Sequence, residues 1–296
     1  MNIIKPKKLQ KGDTIGIIAP SGNVYEEKIY KGKSYLENLG YKIILGNNLF
    51  NKDRYMAGND NQRIEDLEQA FKNPAIDAII CARGGYGAIR IINKINYEII
   101  KKNPKIFCGY SDISALSAAI YKNTGLITFS GPMIQPDFQP DRINDFTISN
   151  FFNTTSSNTK VITPEIKEVI KNGEAKGVLF GGNLATITSL CGSDIFPDKD
   201  FIFFAEDLNE PSYKIDRCFR QLINTKTFRQ NVKGLILGEF LDCENPKYLK
   251  ELFEEISNEL NIPTFGGYNI SHSNKKLTIP YGAEAIINEK QIIIDY

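Results

Sequence analysis

The chain contains one histidine, His272, so any mechanism that needs an imidazole must use it, and a metal site built from several histidines is excluded. A histidine works as a general base when a nucleophile stands beside it and a carboxylate orients it. Two stretches could supply those partners. In Ile106-Phe107-Cys108-Gly109-Tyr110-Ser111-Asp112 an apolar run stops at a glycine, and apolar residues resume at Ile113, Leu116, Ala119 and Ile120 with helical spacing. Ser111 therefore stands where a strand turns into a helix. A nucleophile elbow needs that context, because the hydroxyl must project from a sharp corner beside backbone donors. In Phe201-Ile202-Phe203-Phe204-Ala205 an apolar strand delivers Glu206-Asp207 at its carboxyl end, where open α/β sheets hold their sites.

Each of these residues also has a plainer reading. Ser111 or Asp112 could simply cap the helix that follows, and Ile113 replaces the last glycine of a G-x-S-x-G elbow. Glu206 and Asp207 could be solvated, or cap a helix beginning near Tyr213. His272 lies in the polar stretch Tyr268-Asn269-Ile270-Ser271-His272-Ser273-Asn274, which reads as a loop. Cys108 is a rival nucleophile, but its place in an apolar run suits the core. Taken together, the three give the order serine, carboxylate, histidine found in α/β-hydrolases. Neighbours on a strand end point to opposite sides, so only one of Glu206 and Asp207 should reach the imidazole.

The elements that must position these groups read as alternating strands and helices. Thr14 to Pro20, Tyr41 to Leu45, Ala75 to Ala82, Ile106 to Cys108 and Leu126 to Phe129 are strand-like. Helical patterns cover 25–39, 60–72, a segment after Gly87 to about Ile92, and the stretch after Ser111. This alternation implies βαβ units and a mostly parallel sheet. Arg83-Gly84-Gly85-Tyr86-Gly87 follows one strand as the Ser111 turn follows the next. Its glycines allow a tight turn with amide N–H groups facing a ligand. It could also be a bare turn or a dinucleotide loop, although no G-x-G-x-x-G follows the first strand.

From residue 136 to about 172 the composition turns to Asp, Asn, Thr, Ser and Pro without an apolar period. The expected organisation is an N-terminal domain over 1–145 bearing the nucleophile, a linker over 146–172, and a C-terminal domain over 173–296 carrying Glu206 and His272. That second α/β region opens at Gly177 to Leu184, contains strands over Phe201 to Ala205 and Val232 to Phe240, and has a helix over Pro246 to Leu260. It closes on a hairpin, Ala283 to Ile287 with Gln291 to Ile294.

At 296 residues, 42% hydrophobic and 24% charged, the composition is that of an ordinary globular protein. The formal charge of +1 gives no field favouring nucleic acid or anionic membranes. The five cysteines are odd in number, widely spaced and lack a CxxC, which fits a reducing compartment. With no apolar span and no signal-like leader, the expectation is a cytoplasmic protein without a membrane partner.

Ordered blocks through almost the whole chain resemble the LD-carboxypeptidase family of serine peptidases, which includes the microcin C immunity peptidases. Gly12-Asp13 with Ile17-Ile18-Ala19-Pro20-Ser21-Gly22 is similar to the family's opening strand, and Tyr55-Met56-Ala57-Gly58-Asn59-Asp60 with Arg63, Leu67 and Phe71 to its next block. Arg83-Gly84-Gly85-Tyr86-Gly87 resembles the RGGYG signature, and Gly109 to Leu116 the nucleophile segment. Gly181-Gly182-Asn183-Leu184, then Glu206-Asp207 with Glu210, Tyr213, Asp216 and Arg217, and finally His272 with Leu277 to Ala283, complete the match. The chain departs from the family at Ser130-Gly131-Pro132, where members often have His or Tyr before Gly-Pro, and at Ser271, where a glycine usually precedes the histidine.

The resemblance implies a Rossmann-like N-terminal domain, a C-terminal α/β domain, a site between them and commonly a homodimer. It implies a triad of Ser111, His272 and Glu206 without metal or organic cofactor. The Asp112 N–H and one from Gly84-Gly85 would form the oxyanion hole, and Arg83 would bind a substrate carboxylate or brace the turn. The implied reaction cleaves the amide between an L-configured centre and a terminal D-amino acid in murein peptides. Cleavage of a peptidyl-nucleotide amide in self-immunity, or non-catalytic binding of murein peptides, are the other readings.

Overall fold

A computed structural model describes residues 2–157, 161–162 and 168–296. The first half alternates β1 (Thr14–Ile18), α1 (Glu26–Asn38), β2 (Lys42–Leu45), α2 (Asp60–Lys72), β3 (Ala78–Cys81) and α3 (Tyr97–Lys102). It continues with β4 (Ile106–Cys108), α4 (Ile113–Thr124), β5 (Thr128–Ser130), α5 (Ile134–Asp137) and α6 (Asp145–Ser156). Next come β6 (Val161–Ile162), β7 (Glu168–Lys171), β8 (Ala175–Asn183), α7 (Leu184–Thr188), β9 (Phe201–Leu208) and α8 (Ser212–Ile223). After α9 (Lys226–Asn231) and β10 (Val232–Leu241) come α10 (Pro246–Leu260), β11 (Thr264–Gly266), β12 (Ile279–Tyr281), β13 (Glu284–Ile287) and β14 (Ile292–Asp295).

Strands β1, β3 and β4 are buried along their whole length, as central parallel strands covered on both faces must be. The first sheet runs β12-β5-β4-β3-β1-β2, all parallel except β12. Strands β2-β1-β3-β4-β5 follow the doubly wound order of Rossmann-like sheets of the flavodoxin type, whose switch point falls between β1 and β3. The second sheet runs β6-β14-β13-β8-β9-β10-β11-β7, with β8 to β11 parallel and antiparallel strands outside them. The two sheets are not separate along the chain. β12, from the C-terminal third, adds an edge to the first sheet while β13 immediately after it returns to the second.

Local signals account for the helices that the sequence shows clearly. Asn59 and Gln62 form a reciprocal capping box at the start of α2. Pro246 sits in the first turn of α10, and Asn261 ends it in the left-handed conformation.

Two segments differ from expectation. After Gly87 there is only one 3₁₀ turn, Ala88–Arg90. The start of that stretch is tied to other groups: Gly87 C=O accepts from Arg63 Nη1 at 2.8 Å, and Ala88 N–H donates to Asp112 at 2.8 Å. Within 146–172, expected as a polar linker, residues to Ser156 belong to α6, capped by Asn144 and burying Ile148 and Phe151. Residues 158–160 and 163–167 of that stretch lie outside the described residues. Among the described residues no helix is long and apolar enough to cross a membrane.

Candidate active site

Three loops at the carboxyl ends of β1, β3 and β4 converge beside the switch point of the first sheet. The central one holds Ser111 at φ +62°. A side-chain-bearing residue in this left-handed region carries about 1–3 kcal/mol of strain, which the surrounding structure must hold. Here Ser114 N–H bonds to Ser111 C=O at 2.9 Å, and Ile113 N–H to Tyr110 C=O at 3.2 Å, so α4 locks the corner from its first turn. The elbow geometry is thus present without the final glycine.

Gly84, after β3, packs directly on this corner. A Cβ built on it would stand 2.8 Å from Ser111 Cβ, 3.0 Å from Ser111 Oγ and 3.4 Å from Asp112 N. Gly84 C=O accepts from Gly22 N–H at 3.0 Å. In a trans peptide the next N–H points the opposite way, so the Gly85 N–H is directed away from Gly22. Arg83 Nη1 donates to Asn23 C=O at 3.0 Å, so its guanidinium braces the β1 and β3 loops together.

Asp112 corrects one expectation. Its side chain makes no cap bond to α4. The carboxylate turns back instead, accepting from Ser21 Oγ at 2.5 Å and Ala88 N–H at 2.8 Å. It therefore ties all three loops to one another. Burial raises its pKa above the ordinary carboxylate value, opposed by the Ser21 hydrogen bond.

The second sheet contributes the other half. Glu206 Oε2 lies 2.6 Å from His272 Nδ1, with the carboxylate side chain 3% and the imidazole 16% exposed. A carboxylate only accepts, so the proton of this bond sits on Nδ1, and Nε2 is the ring nitrogen left for another partner. Asp207 goes elsewhere, accepting from Asn183 Nδ2 at 2.9 Å and the Ala185 and Leu208 N–H groups at 3.0 and 2.9 Å. Burial raises its pKa too. His272 packs edge-on against the Tyr110 ring, centroids 5.0 Å apart, which sets it beside the residue preceding Ser111. Ser111 Oγ makes no hydrogen bond to His272 among the described residues. Cys108 is wholly buried, and burial pushes its thiol pKa far up, which leaves it inert.

Sequence reasoning missed two buried charges beside Tyr110. Lys276 and Asp137 form an ion pair, with side chains 2% and 3% exposed. Lysine and aspartate read as solvated surface in a sequence, and nothing in their spacing marks them otherwise.

An α/β scaffold with a strained serine beside a glycine turn, and an imidazole held by a buried carboxylate, has the chemistry of a serine hydrolase. Residues 15–131 match the model of the LD-carboxypeptidase N-terminal domain, and residues 176–287 that of the C-terminal domain. A probable murein peptide carboxypeptidase of Bacillus subtilis (strain 168) is 36% identical, the match covering 98% of this chain and 94% of that protein. The microcin C7 self-immunity protein MccF of Escherichia coli is 30% identical over 95% of this chain and 92% of its own. The crystal structure of a muramoyltetrapeptide carboxypeptidase from Oxalobacter formigenes superposes with a TM-score of 0.88 at 29% identity, covering 96% of this chain and 99% of that one. The chain belongs to the LD-carboxypeptidase family and is a serine peptidase.

Proposed function

We propose that this protein is a murein LD-carboxypeptidase that removes terminal D-Ala from tetrapeptides in cell-wall recycling, with Ser111, His272 and Glu206 as its triad. The observation that carries the reading is the pairing of Ser111 at φ +62° under Gly84 with a Glu206–His272 bond of 2.6 Å. The murein-directed names of relatives spanning nearly the whole chain support the substrate.

Ser111 Oγ attacks the amide carbonyl carbon as His272 Nε2 takes its proton, and Glu206 holds the imidazolium from Nδ1. The carbonyl oxygen becomes an oxyanion facing the Asp112 N–H and the Gly85 N–H, close to the N-terminus of α4. The C–N bond then breaks, His272 returns the proton to the departing D-amino acid nitrogen, and an ester to Ser111 remains. Water adds to that ester as His272 takes its proton. The ester C–O bond breaks and Ser111 Oγ recovers the proton. Arg83, fixed at the rim by Asn23, would pair with a substrate carboxylate through its remaining N–H groups.

The same site suits a second amide. The self-immunity protein's likeness to this chain in sequence keeps a peptidyl-nucleotide as the other substrate. We place the enzyme in the cytoplasm as a homodimer, without nucleic acid or membrane partner. The family resemblance, the near-neutral charge and five free cysteines support that placement.

The test is incubation with a purified murein tetrapeptide, scoring free D-Ala, beside Ser111→Ala. The expected loss in the variant is on the order of 10⁴-fold or more. Full activity in Ser111→Ala would remove the mechanism. Release of amino acid from a peptidyl-nucleotide but not from the tetrapeptide would move the substrate to the self-immunity class, and binding of both without turnover would mark a murein-peptide reader.

A further inference from the structure

Lys276 lies four residues beyond His272 and is almost wholly enclosed. Its ammonium pairs with Asp137 of α5, donates to Tyr110 Oη at 3.2 Å and stands 4.3 Å from the centre of the Tyr110 ring. Asp137 is itself held by the Met133 N–H at 2.9 Å. Burying both charges has a large desolvation cost, and well-packed apolar residues often serve the fold as well or better. Stability alone is therefore a weak account of why an ammonium occupies this place.

Its other contacts supply a better one. The Tyr110 ring under the ammonium is the same ring that meets His272 edge-on at an interplanar angle of 76°, and Tyr110 directly precedes Ser111. One cation thus bears on the residue joined to the nucleophile and, through that residue, on the imidazole. Further attachments of the loop run through its backbone, beside the Lys275 ammonium over the Phe146 ring at 5.2 Å: Thr147 Oγ1 donates to Asn274 C=O at 2.6 Å, and Lys276 N–H to Thr147 Oγ1 at 2.8 Å. Thr278 N–H donates to Asn150 Oδ1 at 2.7 Å. None of these touches the imidazole, which is fixed by Glu206 on one side and by the Tyr110 ring on another.

We infer that Lys276 is a positioning residue for hydrolysis: anchored by Asp137, its ammonium holds the Tyr110 ring against His272, so that the imidazole stays aligned with Ser111. The inference rests on the Ser111–His272 reading above and is independent of which amide is cleaved. A misplacement of about 1 Å in such a pair costs on the order of 10²-fold in rate.

The experiment compares wild type with Lys276→Met/Asp137→Asn, which removes both buried charges and leaves neither unpaired, and with Tyr110→Phe and Tyr110→Leu. Thermal unfolding establishes that each is folded. Turnover of a murein tetrapeptide gives kcat and KM, and the rate of Ser111 labelling by a fluorophosphonate reports the Ser–His pair without any murein substrate. The double variant is expected to keep its fold and lose kcat on the order of 10²-fold, with KM within about threefold. Labelling should slow in parallel. Tyr110→Leu should fall as far, whereas Tyr110→Phe, which keeps the ring, should lose no more than about tenfold. Wild-type kcat in a folded double variant overturns the inference, as does wild-type labelling in Tyr110→Leu. If the double variant does not fold, the two Tyr110 variants decide alone, and equal effects of Phe and Leu overturn it. If wild type labels but releases no D-Ala, the substrate assignment fails while the labelling rates still test Lys276.

Discussion

Glu206 and Asp207 are neighbours on β9, yet their carboxylates serve different partners, one bonded to His272 and the other to Asn183 and the start of α7. The alternation of a strand makes this division unavoidable. It separates the group we propose as the orienter of the base from one that braces the fold.

Opposite phenotypes should follow. Glu206→Gln replaces a pure acceptor with a group able to favour the wrong tautomer, and kcat should fall on the order of 10⁴-fold with little change in melting temperature. Asp207→Asn should cost about 1–3 kcal/mol of stability, because an amide cannot accept from all three donors. Its kcat should stay within about tenfold of wild type. Steady-state kinetics beside thermal unfolding check both, and equal kcat losses would contradict the division.

Gly84→Ala tests the contact above Ser111. Its added Cβ would fall 2.8 Å from Ser111 Cβ and 3.0 Å from Oγ, so either the turn or the serine must shift. The expected result is a kcat loss on the order of 10²-fold, with stability lowered by about 1–3 kcal/mol. Fluorophosphonate labelling of Ser111 should slow by a similar factor.

Asp112 gives a pH signature. Its carboxyl has a raised pKa in the fold, so the native state binds its proton more tightly than the unfolded chain. Its contribution to stability is full below the ordinary carboxylate value and declines as pH rises through the raised value. Asp112→Asn keeps an acceptor for Ser21 and Ala88 but does not titrate. In urea unfolding across a pH series, wild type should therefore lose stability relative to Asp112→Asn as pH rises through that window. Asp112→Ala leaves a buried hydroxyl and an N–H unpaired and should cost about 2–4 kcal/mol at low pH, a deficit that shrinks as pH rises through the same window.

Thr147→Val tests the hold of α6 on the histidine loop. It removes the hydroxyl that both donates to Asn274 C=O and accepts from Lys276 N–H. About 1–3 kcal/mol should be lost, and limited proteolysis should cut near residues 272–275 sooner than in wild type.

Much of the scaffold was legible because its signals are local. Asn59 with Gln62, and Pro246 with Asn261, mark helix ends that need no tertiary knowledge. Short apolar runs marked the buried strands, and the lone histidine with the strand-end carboxylate marked the pair that the fold joins. What escaped depends on distant partners. The polar run over 145–156 forms a helix because Phe151 finds the core and Thr147 and Asn150 find the histidine loop. Asp112 looks like a cap until Ser21, 91 positions away, is placed beside it. Lys276 and Asp137 carry charges that sequence reasoning assigns to solvent, and only their mutual contact explains their burial.

The exchange of β12 into the first sheet makes the two halves incomplete as separate polypeptides. A fragment ending near residue 157 would present β5 as an open edge, with one side of Thr128, Phe129 and Ser130 lacking its hydrogen-bonded neighbour. An open edge recruits any compatible strand. Ile279–Tyr281 are thus a built-in complementing strand, supplied by the same stretch of chain that carries His272.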